Sequence, residues 1–494
     1  MEVIHFPLGG GVDGTSPVLS MAPGRLRIGR NIECKPGPDL RRTGYRLVEG
    51  FSKFDTTVVP GEGQIRGVHY YGAKVYAFRN ASDGASCSMW SSTGSGWTEE
   101  KSGLTADGRY RLINYAFSGA QKMYGVSGAH KAFQWDGATW TDITTGMAAD
   151  SPDHVIAHKK HLFLSFGNSV QNSSLGDPLS WTPLTGASEI LLDDDITGFS
   201  AMPNGALGIY TKNGITLLSG SVLADFIATN TVEYGNNAGA LADTIQPMGA
   251  TIRFCDSRGI TDMAASQASS DFYDSIISHD MDKTIEGRWT RATCATVVRE
   301  KNQYRLFFND GSGLIATFNN TQVGITQIQF PFPVQCVVNT EDATGNELIY
   351  FGSNDGYIYA MESGRSFAGA AIDAYAEIAF TDAGQSNLLK RWRRARFDVG
   401  RSGNAGLYVV PRYFMDGIGT DSQMTPVYTG SGETLGGAIL NQVVLGGAPI
   451  SEGDVDLEGI SKWLSLRFLS STTDVSPWEI DGVEIEFLPG RKRK

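Results

Sequence analysis

Cysteine is scarce in this 494-residue chain. Its five cysteines, Cys34, Cys87, Cys255, Cys294 and Cys336, stand far apart with no CxxC pair. That spacing speaks against a disulfide framework and against a thiolate metal site, and free thiols in a reducing compartment are the expectation. Long hydrophobic runs are missing too. No stretch approaches 18 apolar residues, so no transmembrane helix is expected. Residues 1–6 lack the basic and long apolar regions of a signal peptide, so synthesis and assembly in a cytoplasm are expected. Positive charge is in deficit: 41 Lys and Arg against 53 Asp and Glu give a net charge of −12. Such a balance makes a poor general binder of nucleic acid, which wants clustered Lys and Arg, although it suits a conduit past which DNA slides without sticking. Nor is there a GxSxG, a P-loop, an HExxH or a GxGxxG following a strand.

Glycine, by contrast, is abundant. Sixty residues are Gly, about 12% against a usual ~7%, with no Gly-X-Y period to suggest collagen. Glycine scattered among short apolar runs points to many tight turns and many short strands. The expected class is all-β, and four segments separate. Residues 1–60 are Gly- and Pro-rich with sparse apolar residues, and read as an extended arm that orders by docking. Residues 61–365 repeat an apolar strand, a polar turn and a second apolar strand. One central aromatic per unit (Tyr76, Tyr124, Phe163, Tyr210, Phe254, Phe307, Tyr350) recurs at steps of 39–53 residues. That period predicts a β-propeller of six or seven blades. Trp-Thr recurs at Trp97, Trp140, Trp181 and Trp289, where an outer blade strand is expected. Residues 265–285 lose the alternation and suggest a short helix between blades. Residues 366–490 carry longer alternating strands at 374–380, 394–399, 406–410, 463–468 and 483–487, as in an antiparallel β-sandwich. Residues 491–494 are a basic tail. Because the arm has no core, it is expected to pack on the C-terminal sandwich, so that both ends of the chain form one platform.

Candidate chemistry is thin. His154, His158 and His161 have a spacing that could suggest a metal, but the flanking apolar residues predict a hairpin with Lys159-Lys160 at its tip, which leaves surface histidines. Asp193-Asp194-Asp195 reads as a solvated inter-blade loop rather than a calcium or glycosidase site. The stretch Trp135-Asp136-Gly137-Ala138-Thr139-Trp140 approaches the sialidase box but lacks its Ser. The densest basic stretch, Lys390 to Arg396, offers Arg391, Arg393, Arg394 and Arg396 as candidates for contact with DNA or a protein neighbour, with Trp392, Arg394 and Arg396 expected on one strand face. No cofactor, metal or catalytic residue is assigned.

The arm reads Gly9-Gly10-Gly11-Val12-Asp13-Gly14, then Pro17, Pro23-Gly24, Gly29-Arg30-Asn31-Ile32-Glu33 and Arg41-Arg42-Thr43-Gly44-Tyr45. This order resembles the N-terminal arm of tail nozzle proteins of short-tailed phages, the tubular tail protein B and packaged-DNA stabilization types. The stretches 195–220 and 249–260 resemble blades of those proteins. The resemblance implies a non-catalytic virion protein: a homo-oligomer, hexameric, below the head-to-tail adaptor protein, with tail fibres or spikes as further partners and double-stranded DNA passing without sequence specificity. The modest length implies a reduced or absent distal tip domain. Two other classes fit a propeller, a protein-interaction scaffold outside any virion and a carbohydrate-active enzyme.

Overall fold

The computed structural model describes residues 1–35, 44–230, 239–263, 276–319, 322–400, 407–415, 418–422, 425–426, 451–472 and 478–490. Arg41, Arg42, Thr43, most of the 265–285 stretch and the basic tail 491–494 lie outside these residues.

The chain is all-β. Its repeats form a ring of antiparallel sheets whose innermost strands are Glu62–Tyr71, Arg111–Tyr115, His154–His158, Ile196–Ala201, Gln246–Met248, Ala292–Val298 and Val334–Glu341, and the last packs back against the first. Six of these units are free-standing blades, five of four strands and one of three. The seventh position is filled by the four strands from Ala292–Val298 to Gln322–Gln329, which run on into a ten-stranded sheet. A six-bladed propeller is therefore closed by a unit shared with the sheets outside the ring.

All seven marker aromatics lie on the second strand of their unit, and all are buried: Tyr76, Tyr124, Phe163, Tyr210, Phe254, Phe307 and Tyr350. The second strand has a neighbour on each side within its blade, and large flat side chains there fill the gap between adjacent blades. The Trp-Thr marker fares less well. Thr98 opens the outer strand Thr98–Thr105, and Trp140 opens the outer strand Trp140–Asp142. Trp181 precedes a 3-10 turn at Pro183–Thr185, and Trp289 sits buried in another, Trp289–Arg291, just ahead of an inner strand. Within 265–285, the described part holds a 3-10 turn at His279–Met281 and one helical turn at Asp282–Ile285.

The two ends of the chain meet. Glu2–Pro7 pairs antiparallel with Glu479–Pro489, and so does Tyr45–Leu47. Glu479–Pro489 in turn pairs with Lys390–Gly400. These strands, with Ile32–Cys34, Ser451–Asp456 and Ile460–Ser461, make a seven-stranded sheet. The ten-stranded sheet lies across from it, and Phe397 of the first meets Phe468 of the second edge to face at 5.4 Å. Leu26–Arg30 joins the two bodies. It touches Gln322–Gln329 through the parallel bridge Arg30–Gln327 and pairs antiparallel with Ile372–Ile378.

The arm supplies core as well as hydrogen bonds. Leu8, Val12, Leu26, Ile32, Leu47 and Val48 are buried in one cluster with Trp392, Val483 and Ile485. Each such side chain is worth about 1.5–3 kcal/mol on burial. The segment 1–60 is not all platform, however: Phe51–Lys53 pairs with Ile358–Met361 and is the outer strand of the last blade. A blade completed by a strand from the other end of the propeller segment fastens the ring.

A buried ionic cluster seals the joint. Glu33 is fully buried and accepts from Arg46 Nε (2.6 Å), Lys301 Nζ (3.0 Å), Arg305 Nη2 (3.1 Å) and Gln303 Nε2 (3.1 Å). Lys301 and Arg305 also pair with Glu362. Arm, shared unit and last blade are held at one point, with every charge answered by an opposite one.

Candidate functional site

The four candidate arginines lie on Lys390–Gly400, in the seven-stranded sheet. The expected alternation is broken by a bulge between Trp392 and Arg394, where the register against Phe487 and Glu486 shifts by one residue. A bulge puts two residues opposite one and re-aims the side chains that follow. Trp392, Ala395, Phe397 and Val399 are therefore buried together, while Arg391 and Arg393 are exposed and Arg394 and Arg396 partly so. Trp392 does not share a face with Arg394 and Arg396, and it cannot stack on a base: its indole donates to Ser461 Oγ at 2.8 Å.

Arg394 and Arg396 are already answered within the chain. Arg394 faces Asp454 and Asp456 (3.7 and 3.6 Å), and Arg396 faces Asp454 (3.3 Å), Glu484 (3.2 Å) and Glu486 (3.5 Å). Three strands thus carry a ladder of alternating charge. Exposed pairs of this kind each contribute little to stability. They also remove most of the attraction such a strand would have for a phosphate backbone.

The histidines form the expected hairpin, His154–His158 and His161–Phe166, with Lys159 and Lys160 in left-handed conformation at its tip. They are not surface residues, though: His154 and His161 are buried and His158 half-buried. His161 Nδ1 donates to the Ser173 carbonyl oxygen at 2.7 Å. Among the described residues no group of three His, Cys, Asp or Glu is placed to hold a metal. Asp193, Asp194 and Asp195 lie in the loop between Ser188–Leu191 and Ile196–Ala201, that is, between blades. All five cysteines are buried and free, and burial pushes the Cys34 thiol up to about 12.

The most heavily built polar site lies on the propeller axis, and residue patterns alone did not single it out. Arg109 and Arg111 stand at the start of the second blade, two residues apart, with Tyr110 between them stacked on Phe78. Both reach across the ring to Asp243, which precedes the fifth blade in a left-handed conformation (φ 61°). Arg111 donates from Nε (2.7 Å) and Nη2 (3.0 Å), and Arg109 donates from Nε (3.2 Å). The remaining guanidinium nitrogens bind backbone carbonyls of other units: Asp153 (2.8 Å), Thr293 (3.3 Å) and Gln335. One Arg-Asp-Arg cluster therefore ties together units two, three, five, six and seven. Burial alone would raise the Asp243 carboxyl, but Arg111 and Arg109 outweigh it and hold it well below the usual carboxylate range.

Beside the cluster is a cavity of about 220 Å³, lined by His69, His154, Thr197, Gln246, Cys294 and Cys336 among others. Burial lowers His69 to about 4, and burial with the charge of Arg111 lowers His154 to about 3, so both are neutral near pH 7. A legible signal for this site was Arg-Tyr-Arg, since period two on a strand sends both arginines to one side. The carboxylate that answers them is 132 residues beyond Arg111, and no local pattern announces it.

No family model matches the chain, and no curated protein matches it. Solved structures that resemble it are propellers. Virginiamycin B lyase from Staphylococcus aureus is 13% identical with a TM-score of 0.43, over 61% of this chain and 96% of that one. The WD40 repeats of RRP9 are 8% identical with a TM-score of 0.45, over 64% and 99%. U3-55K is 8% identical with a TM-score of 0.44, over 63% and 99%. Likeness at this level concerns the fold alone.

Proposed function

We propose that this chain is a structural subunit of a short-tailed phage tail, a nozzle protein that assembles as a ring below the head-to-tail adaptor and lines the DNA exit path. The observation that carries the reading is the platform. The Gly-rich arm and the C-terminal strands interleave in a single sandwich, from which the propeller is inserted as a rigid disc. That is the arrangement expected if the arm resemblance extends to the whole chain. Three further features favour a mechanical role. The arm, the shared unit and the last blade are locked by buried ion pairs. The axial arginines are bound to Asp243 and to backbone carbonyls, which leaves them poorly placed for chemistry on a substrate. On the ladder Arg394 and Arg396 are outnumbered by four carboxylates, which suits a surface past which DNA moves without adhering. The propeller axis is closed by side chains, so on this reading the DNA path runs between subunits. Arg391 and Arg393, exposed and without an ion-pair partner among the described residues, are the better candidates for the adaptor or a neighbouring subunit.

The reading is tested by disrupting the gene and examining particles. Heads should fill and then lose their DNA, and supplying the chain in trans should restore retention. Fully infectious particles without the chain would overturn it and favour a propeller scaffold outside the virion.

A further inference from the structure

A second cavity, of about 400 Å³, opens between the second and third blades. Lys122 and Tyr124 line it from the second strand of blade two, Lys122–Val126, and Gln134 from the third, Phe133–Trp135. Phe117 comes from the loop between the first two strands of that blade. Asp177 and Leu179 come from the loop that follows the third strand of blade three, Ser169–Asn172. Strands of a blade alternate in direction, so loops after a first and a third strand lie at the same end, and both rim one face of the disc.

The walls are fixed by bonds of their own. Tyr124 and Gln134 stand directly opposite in the antiparallel ladder, and the Tyr124 hydroxyl donates to Gln134 Oε1 at 3.1 Å. Phe117 meets Tyr124 edge to face at 5.2 Å. In the facing loop, the Leu179 backbone N–H donates to Asp177 Oδ1 at 3.0 Å, and Trp181 Nε1 donates to the Pro178 carbonyl at 3.0 Å. The Gly176 N–H ties that loop to the Lys160 carbonyl at 2.8 Å.

Three polar groups remain unspent. Gln134 is 6% exposed, yet its Nε2 has no hydrogen-bond partner among the described residues, and its side chain lines the pocket. A buried amide is rarely left half answered. Lys122, half-buried, makes no ion pair or hydrogen bond among the described residues, and Asp177 Oδ2 accepts none there either. One cation and one carboxylate leave the walls without net charge, which disfavours an ionic ligand. Phe117 and Leu179 supply apolar surface beside them. The volume lies within the ~300–1,000 Å³ of small-molecule sites.

We propose that this inter-blade pocket binds one neutral hexose unit, free or at the end of a glycan chain, held by Lys122 Nζ, Gln134 Nε2 and Asp177 Oδ2 against Phe117 and Leu179. A sugar hydroxyl donates and accepts at once, so neighbouring hydroxyls answer an ammonium, an amide and a carboxylate together, and they answer either end of the Gln134 amide. The C–H faces of the ring lie on the apolar wall. The site adds recognition to the propeller and does not depend on the nozzle reading.

The test is saturation-transfer NMR with calorimetric titration of the full-length protein by glucose, galactose and mannose, each as the free sugar and as its methyl glycoside, at pH 7.5. Saturable binding of at least one is expected. A methyl glycoside that binds as well as its free sugar assigns the site to the end of a glycan, and binding of the free sugar alone assigns it to a free solute; both support the pocket. Lys122→Met keeps the stem and breaks no hydrogen bond or ion pair, and Asp177→Ala removes the carboxylate; circular dichroism checks the fold of each. Each variant should weaken binding about tenfold or more, the worth of one hydrogen bond to a charged group. If Asp177→Ala fails to fold, Lys122→Met alone decides. Absence of saturable binding by all three sugars overturns the proposal. So does binding that the folded variants leave unchanged, since the sugar then sits elsewhere.

Discussion

Asp243→Asn is the sharpest perturbation of the axial cluster. The substitution preserves size and removes one charge. The new amide also turns a donor toward guanidinium N–H groups 2.7–3.2 Å away. Two guanidiniums then sit at the ring axis without the carboxylate that answered them. Deleting one partner of a buried ion pair costs about 3–5 kcal/mol, and because these side chains keep 20–28% of their surface exposed the loss falls at or below the lower end, about 2–3 kcal/mol. For a propeller of about 300 residues, one kcal/mol moves the unfolding temperature by ~2 °C, so a fall of roughly 4–6 °C is expected. Because Asp243 ties five units together, the loss should appear as a shift of the whole propeller transition. The assay is thermal unfolding by near-ultraviolet circular dichroism at pH 7.5, with urea unfolding as a second scale. Arg111→Met in the Asp243→Asn background should recover part of the loss, since it removes one of the stranded charges. A loss below ~1 kcal/mol, or additive single and double variants, would refute the cluster as a cross-axis tie.

Three further outcomes are expected. His69 and His154 titrate lower in the folded protein, at about 4 and 3, than in the unfolded chain near 6.5. Their contribution is therefore complete above pH 6.5 and is lost as pH falls, by about 1.4 kcal/mol per unit for each histidine between 6 and 4; urea midpoints over that range should show it, and His154→Asn should shallow the slope. Gly11 has φ 72° and a Cβ there would lie 2.3 Å from the Ile325 nitrogen, so Gly11→Ala should cost about 2 kcal/mol or more and loosen the arm, read as faster limited proteolysis near residue 11. Deleting residues 1–48 should unfold the platform and lower the propeller transition as well, because it strips Glu33 from Lys301 and Arg305, and deleting 1–60 should lower that transition further, because the second cut also removes Phe51–Lys53; equal effects would contradict the strand assignment.

How much could be read beforehand differed by element. The propeller was legible because each second strand needs a buried aromatic, and that need repeats with the blade. The platform was legible in outline, since an arm with too few apolar residues has to borrow a core. The blade-closing strand at 51–53 was missed because three residues carry no periodicity of their own and their partner lies about 300 residues away. Trp181 and Trp289 misled because Trp-Thr also suits the 3-10 turns in which they occur or which they precede. The face of Arg394 and Arg396 was misassigned because strict alternation fails at a bulge, and nothing in Arg391-Trp392-Arg393-Arg394 marks where the extra residue sits. His154 and His161 were placed on the surface although the hairpin was right, because burial there depends on the neighbouring blade.

The proposal that matters most is that this chain is part of a phage tail, and one measurement addresses it directly: cryo-electron microscopy of virions purified from the source of this gene. The expected result is a ring at the tail axis below the adaptor, into each subunit of which this propeller and its two-ended platform fit, with the DNA path running between subunits. Virions with no density for the chain at the axis would contradict the account and leave a propeller scaffold as the better reading.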